Sequence, residues 1–272
     1  MSVFYKNFTI IFVLFIFLVV LLIRNRHALA KPSPKLLHVV VIATDTKRTD
    51  RLIRSLNNKN GYKVHLKGVG ENWTGYEIKL LHTLNLAQSL RRDDILMHLD
   101  AYDTYVLVHA EEIIEKFLKM NANIIVSTET NLAPNWEFSD ETRRQMDGMY
   151  PTAPNRFRWI NSGTYIGYAG AIADLLGTMP SNFFCDLPTG QSASHSDDQR
   201  CFHTYFLKDK EKFNIKLDYN QEIFHCMWGV DHYSLEPLKR IRSETGSMPC
   251  VLHGNGNAQS FSNAVETIHS SL

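Results

Sequence analysis

The chain lacks a surplus of charge of either sign. Its 29 Lys and Arg stand against 28 Asp and Glu, a formal net charge of +1 over 272 residues. Without a basic excess there is no electrostatic footprint for a phosphate backbone, so nucleic acid is not expected as a partner. Cysteine is scarce: Cys185, Cys201, Cys226 and Cys250 all fall in the C-terminal third and none forms C-x-x-C. That spacing excludes zinc-ribbon and thioredoxin-like readings. In an oxidising compartment the four could form up to two disulfides in any of three connectivities; otherwise they pack as buried thiols. Internal repeats and low-complexity tracts are absent, and so is any long apolar run beyond residue 23.

The one such run, residues 8–23, is apolar apart from Thr9. As a helix it would span about 24 Å, slightly short for a bilayer but suited to a thin one. Lys6 precedes it and Arg24 and Arg26 follow, so flanking charge leaves its orientation open. It reads as a type II single-pass membrane anchor; the alternative is a cleaved signal peptide, with Ala28-Leu29-Ala30 as a small-x-small site. Either puts the rest of the chain in the lumen of the endoplasmic reticulum or Golgi, or outside the cell, where Asn72-Trp73-Thr74 is a usable glycosylation sequon. The expected organisation is tail, anchor and linker over 1–35 and one domain over 36–272.

Within that domain, the valine-rich run at 36–43 reads as a buried parallel strand. Helix is expected over 50–56, 76–91, 109–120, 171–176 and 198–207, and strand over 62–69, 94–99, 123–127, 160–167 and 249–252. The helix at 109–120 is the clearest, with Ala110, Ile113, Ile114, Phe117 and Leu118 on one face. The alternation predicts an α/β fold: a mostly parallel sheet with helices on both faces. Residues 130–156, with Pro134, Pro151 and Pro154, read as a long irregular loop.

Four motifs carry chemistry. Asp100-Ala101-Tyr102-Asp103 follows a strand, at the edge where α/β sheets bind ligands. Two carboxylates on one turn can share a hard divalent cation, which neutralises a departing diphosphate; the structural reading is a turn cap. His253-Gly254-Asn255-Gly256 could add an imidazole ligand while backbone N–H groups meet phosphate, or be a polar loop. Asn161-Ser162-Gly163 offers an amide to a sugar hydroxyl beside a glycine that admits substrate, or is a strand bulge. Asp197-Asp198-Gln199 either caps a helix or forms an acidic face toward an acceptor. Trp73 and Trp136 are loop indoles that could stack on a base or sugar, or anchor their loops.

With Ala43-Thr44, the segment from Gly70 to Gly75 and Pro134-Asn135-Trp136 added, the order and spacing of these motifs resembles the glycosyltransferase domain of the multifunctional procollagen lysyl hydroxylases. The sequence is more distantly similar to the collagen galactosyltransferases. The resemblance runs from about Leu36 to Gly256. It implies a GT-A fold and transfer of glucose or galactose from a UDP-sugar to a protein or glycan acceptor, collagen-like in the family, with retention of configuration. It implies Mn²⁺ on Asp100, Asp103 and His253. On the donor side it implies Thr44, Trp73, Lys79, Tyr102 (against uracil), Gly254 and Gly256; around the sugar and acceptor, Trp136, Asn161, Asp197, Asp198 and Asn255. Two positions depart from the family pattern: His195-Ser196 replace part of an acidic run, and Gln259 stands where a basic residue is expected. The alternative is therefore a non-catalytic relative that binds UDP-sugar or glycan.

Overall fold

The computed structural model describes residues 36–134 and 137–270. The expected anchor at 8–23 and Trp136 lie outside the described residues, among which no helix is long and apolar enough to cross a membrane.

Eleven strands and seven α-helices are described. The strands are β1 (Leu37–Ile42), β2 (Tyr62–Lys67), β3 (Ile95–Asp100), β4 (Thr104–Val106), β5 (Ile124–Glu129), β6 (Trp159–Tyr168), β7 (Ile215–Leu217), β8 (Phe224–Cys226), β9 (Ser234–Glu236), β10 (Arg240–Arg242) and β11 (Val251–His253). The helices are α1 (Asp50–Asn57), α2 (Glu77–Ser89), α3 (Ala110–Lys119), α4 (Asp140–Met149), α5 (Ala169–Thr178), α6 (Asp198–Phe213) and α7 (Gln259–Ser270).

The main sheet has the order β2-β1-β3-β6-β5-β7. β1 pairs in parallel with β2 and β3, and β5 in parallel with β7. β6 alone runs the other way, antiparallel to β3 and β5. The reason is the connection: β5 ends at Glu129 and β6 starts opposite it, at Trp159, so the chain re-enters the sheet at the edge it left. The sheet is thus mixed yet mostly parallel, as expected.

Period-2 alternation divides the core between two faces. Val39, Val41, Met97 and Leu99 pack with Leu52, Leu56, Ile113 and Phe117; Val40, Ile42, Leu96 and Val126 pack with Ile78, Leu80, Leu175 and Phe202. β1 is buried along its whole length, His38 included, as its valine-rich run requires. Each such side chain stabilises the fold by roughly 1.5–3 kcal/mol.

One expectation needs correction. The long loop contains α4, which Ser139 caps by accepting from the Thr142 N–H. It buries only Thr142 and Met146, so it writes no apolar stripe into the sequence. α7, for which the sequence raised no expectation, follows the glycine turn and buries Phe261, Ala264, Val265 and Ile268 at helical spacing. Of the cysteines, Cys185 and Cys201 form one disulfide, while Cys226 and Cys250 are buried free thiols.

Candidate active site

The site lies at the edge where β1, β3 and β5 end. β3 delivers Asp100 as its last residue, and the turn after it leads through Asp103 into β4. β4 pairs antiparallel with β11, placing His253 opposite Thr104. Two anchors hold the turn: the Thr104 hydroxyl donates to the Asp100 carbonyl (2.6 Å), and the Gly254 N–H to that of Asp103 (2.7 Å). His253 Nε2 then lies 3.7 Å from Asp100 Oδ2 and 3.5 Å from Asp103 Oδ2. One ligand atom from each of the three falls within 4.8 Å of the others, a donor set that suits a divalent cation.

Gly163 explains why these groups can meet. A Cβ built there would sit 2.3 Å from His253 Cε1 and 2.6 Å from Asp100 Oδ2. The register of β6 against β5 slips just here: Ser127 faces Asn161, but Val126 faces Tyr165. The bulge reading of Asn161-Ser162-Gly163 is therefore the observed one, and the glycine clears space for the Asp–His pair.

Lys79, on α2, joins the two acidic motifs. Its ammonium lies 2.6 Å from Asp100 Oδ1 and 2.6 Å from Asp198 Oδ2. Burial alone would favour neutral lysine, but the two carboxylates reverse this and hold it charged far above the usual range. Burial alone would likewise raise the Asp100 carboxyl, but Lys79, with His98 and His253, keeps it well below the carboxylate range. His253 is driven the other way. Its burial favours the neutral ring, yet Asp103 and the Cys226 thiol behind it raise its pKa well above normal. The carboxylates thus favour positive charge on both Lys79 and His253, and a cation bound here would displace the His253 proton.

Asp197 caps α6, accepting from the Arg200 N–H at 2.6 Å. Burial and then the neighbouring Asp198 raise its carboxyl to about 7. The capping reading of this motif is the observed one, and both acids also line the cleft. Ser196, one of the departures, donates its hydroxyl to Glu77 at the start of α2. His195, beside it in the same departing segment, pairs with Glu137 at 2.8 Å.

The residue that sequence reasoning missed is Glu129. This buried carboxylate ends β5 and accepts from three amides: Asn161 (2.9 Å), Gln199 (3.0 Å) and Asn255 (3.0 Å). Burial outweighs these donors and pushes its pKa up. The available signal was its place at a strand end, the same placement that singled out Asp100. Glu129, Lys79, Asn161, Asp197, Asp198 and Asn255 face a cleft of about 440 Å³ together with the Asp100–Asp103–His253 group.

Other expected donor-side residues sit differently. Gly256 lines the cleft, but the Gly254 N–H is already used, and a Cβ at 254 would lie 2.5 Å from Phe261. Thr44, Trp73 and Tyr102 do not line the cleft. Tyr102 has the Arg48 guanidinium over its ring at 4.2 Å, and its hydroxyl accepts from the Asp45 N–H. Trp73 is half exposed and meets Tyr76 edge-on.

A strand-end carboxylate pair, a histidine brought in by a second sheet and an adjoining amide-lined cleft belong here to a glycosyltransferase domain. Residues 32–268 match the family model described as the PLOD GT domain, and the chain belongs to that family. It is 27% identical over 245 residues to mouse procollagen-lysine,2-oxoglutarate 5-dioxygenase 1, covering 84% of this chain and 31% of that protein. It is 26% identical over 245 residues to the human multifunctional procollagen lysine hydroxylase and glycosyltransferase LH3, covering 82% of this chain and 30% of that protein. The chain thus spans about a third of the length of these curated relatives. Among solved structures, apo mouse xyloside xylosyltransferase 1 matches with a TM-score of 0.48 at 14% identity, over 82% of this chain and 98% of that one.

Proposed function

We propose that the chain is a GT-A-like, metal-dependent hexosyltransferase that moves glucose or galactose from a UDP-sugar to a protein or glycan acceptor, collagen-like as in its relatives. It works in the lumen of the endoplasmic reticulum or Golgi, held by the apolar segment at 8–23. The observation that carries this reading is the Asp100–Asp103–His253 group opening onto a cleft with a second, separately paired acidic motif.

Asp100, Asp103 and His253 would hold the divalent ion, which when bound neutralises charge on the departing diphosphate. Lys79 ties Asp100 to Asp198, so the leaving-group side and the acceptor side keep one spacing. Asp197, with a pKa of about 7, is suited to take a proton from an acceptor hydroxyl near neutral pH. Glu129 is aimed by three amides at the wall of the cleft, where a carboxylate stabilises positive charge growing on the sugar ring.

Gln259 favours a second reading, a non-catalytic binder of UDP-sugar or glycan. It starts α7 with a neutral amide that donates to Asn263 (2.9 Å), where the resemblance leads one to expect a cation for phosphate. Release of UDP by the purified full chain, measured across UDP-sugars with Mn²⁺ and with EDTA, separates the two. Metal-dependent release from one donor supports transfer chemistry. UDP binding with no release from any donor, with or without hydroxylysine-bearing peptides, overturns it in favour of the binder.

A further inference from the structure

Trp228 belongs to two cavities. It lines the cleft described above, and it also walls a broader groove of about 790 Å³ between the segment after β8 and the start of α7. Its indole is 43% exposed, yet its position is fixed. The Trp228 N–H donates to Asn255 Oδ1 at 3.1 Å, and its carbonyl accepts from Thr130 Oγ1 at 3.4 Å. One ring edge rests on Gly256, where a Cβ would approach Cε3 to 2.9 Å. An exposed tryptophan held by its backbone and by a glycine seat is a platform, since burying the ring is not what positions it.

The rest of the groove has a consistent chemistry. Tyr233 adds a second aromatic side chain, Asp231 a carboxylate, and Gln259 and Asn263 two exposed amides already linked to each other. Among the described residues no lysine or arginine lines it, which disfavours phosphate or nucleotide. Polar groups are interspersed throughout, which disfavours an acyl chain. Aromatic faces for C–H surfaces, with amides and a carboxylate for hydroxyls, are the complement of a saccharide.

We propose that this groove is a second saccharide subsite, holding the sugar next to the acceptor sugar, with Trp228 as the stacking surface that joins it to the cleft. The idea rests on the glycosyltransferase reading and extends it: the acceptor is a glycan of at least two sugars. On this view Gln259 is no longer a defect, because it has exchanged a phosphate contact for a hydroxyl contact.

The test uses the full chain and the free sugars galactose, glucose, lactose and cellobiose, with binding followed by saturation-transfer NMR and UDP affinity measured separately by calorimetry. At least one disaccharide is expected to bind more tightly than its monosaccharides. Trp228→Ala should weaken that disaccharide about tenfold and Trp228→Phe should restore most of the loss. Tyr233→Ala, at a side chain that lies in the groove and outside the cleft and also packs against the core, should weaken the disaccharide and leave UDP affinity unchanged. If Trp228→Ala does not fold, Tyr233→Ala and Gln259→Ala carry the same expectation. Disaccharide binding that is absent in the wild type, or indifferent to the groove variants, overturns the subsite. Loss of UDP binding in the wild type would instead overturn the donor reading, and groove-dependent disaccharide binding would still support a saccharide site.

Discussion

Gly163→Ala adds one methyl group at the most crowded point of the site. Its Cβ would fall 2.3 Å from His253 Cε1, 2.9 Å from His253 Nε2 and 2.6 Å from Asp100 Oδ2. Ordinary heavy-atom contact begins near 3.5 Å, so roughly 1 Å of displacement is needed. Neither neighbour is free to give it. His253 is a buried strand residue with Cys226 Sγ 3.7 Å behind its other nitrogen, and Asp100 is clamped by Lys79 at 2.6 Å. The backbone is not the obstacle, since Gly163 is not among the glycines with positive φ. Overpacking of this kind costs about 1–3 kcal/mol, and a displacement of about 1 Å in a catalytic constellation costs about 100-fold in rate. Initial rates of UDP release against Mn²⁺ concentration should show the half-saturating concentration rising and kcat/KM falling about 100-fold. The melting temperature should drop by only a few degrees. Gly148→Ala in α4 is the control, because nothing lies within 4 Å of its added Cβ. Unchanged metal dependence in Gly163→Ala would refute the argument that Gly163 is the seat of the Asp–His pair.

Lys79→Met leaves Asp100 and Asp198 without their shared cation; with metal removed, chemical denaturation should show a loss of about 3–5 kcal/mol, part of which Mn²⁺ restores. Breaking the Cys185–Cys201 disulfide, whose partners are 16 residues apart, should cost about 3 kcal/mol; the Cys185→Ser, Cys201→Ser double variant measured by the same method checks this. Asp197 has a folded pKa of about 7 against an unfolded value of about 4, so the folded state holds its proton to higher pH. Its contribution to stability therefore falls as pH rises from about 4 to about 7 and stays level above. Asp197→Asn, which keeps the helix cap, should flatten that part of the melting-temperature profile, and a profile identical to wild type would contradict the assignment.

Much of the scaffold was legible because its signals are local. β1 is an unbroken buried run and α3 a regular stripe, and each needs only its own residues to declare itself. The Asp100–Asp103 turn was legible for the same reason, as carboxylates at the end of a strand. What was hidden depends on distant partners. The direction of β6 follows from where the chain from β5 returns, a property of residues 130–158 that no window within β6 contains. Glu129 looks like any polar residue after a strand until three amides from β6, α6 and the turn after β11 converge on it. α4 was masked because a helix that buries two side chains leaves no periodic trace.

The pairing of β4 with β11 also orders events in time. Asp103 leaves the ribosome about 150 residues before His253, a gap of roughly 8–30 s at ordinary rates of synthesis. Throughout that interval the growing chain carries both aspartates without the imidazole and without the strand that braces their turn. The cation site comes into being only when the last strand docks. On the proposed function, metal capture would therefore report that β11 has docked, and a molecule cut short before Val251 would lack the His253 ligand.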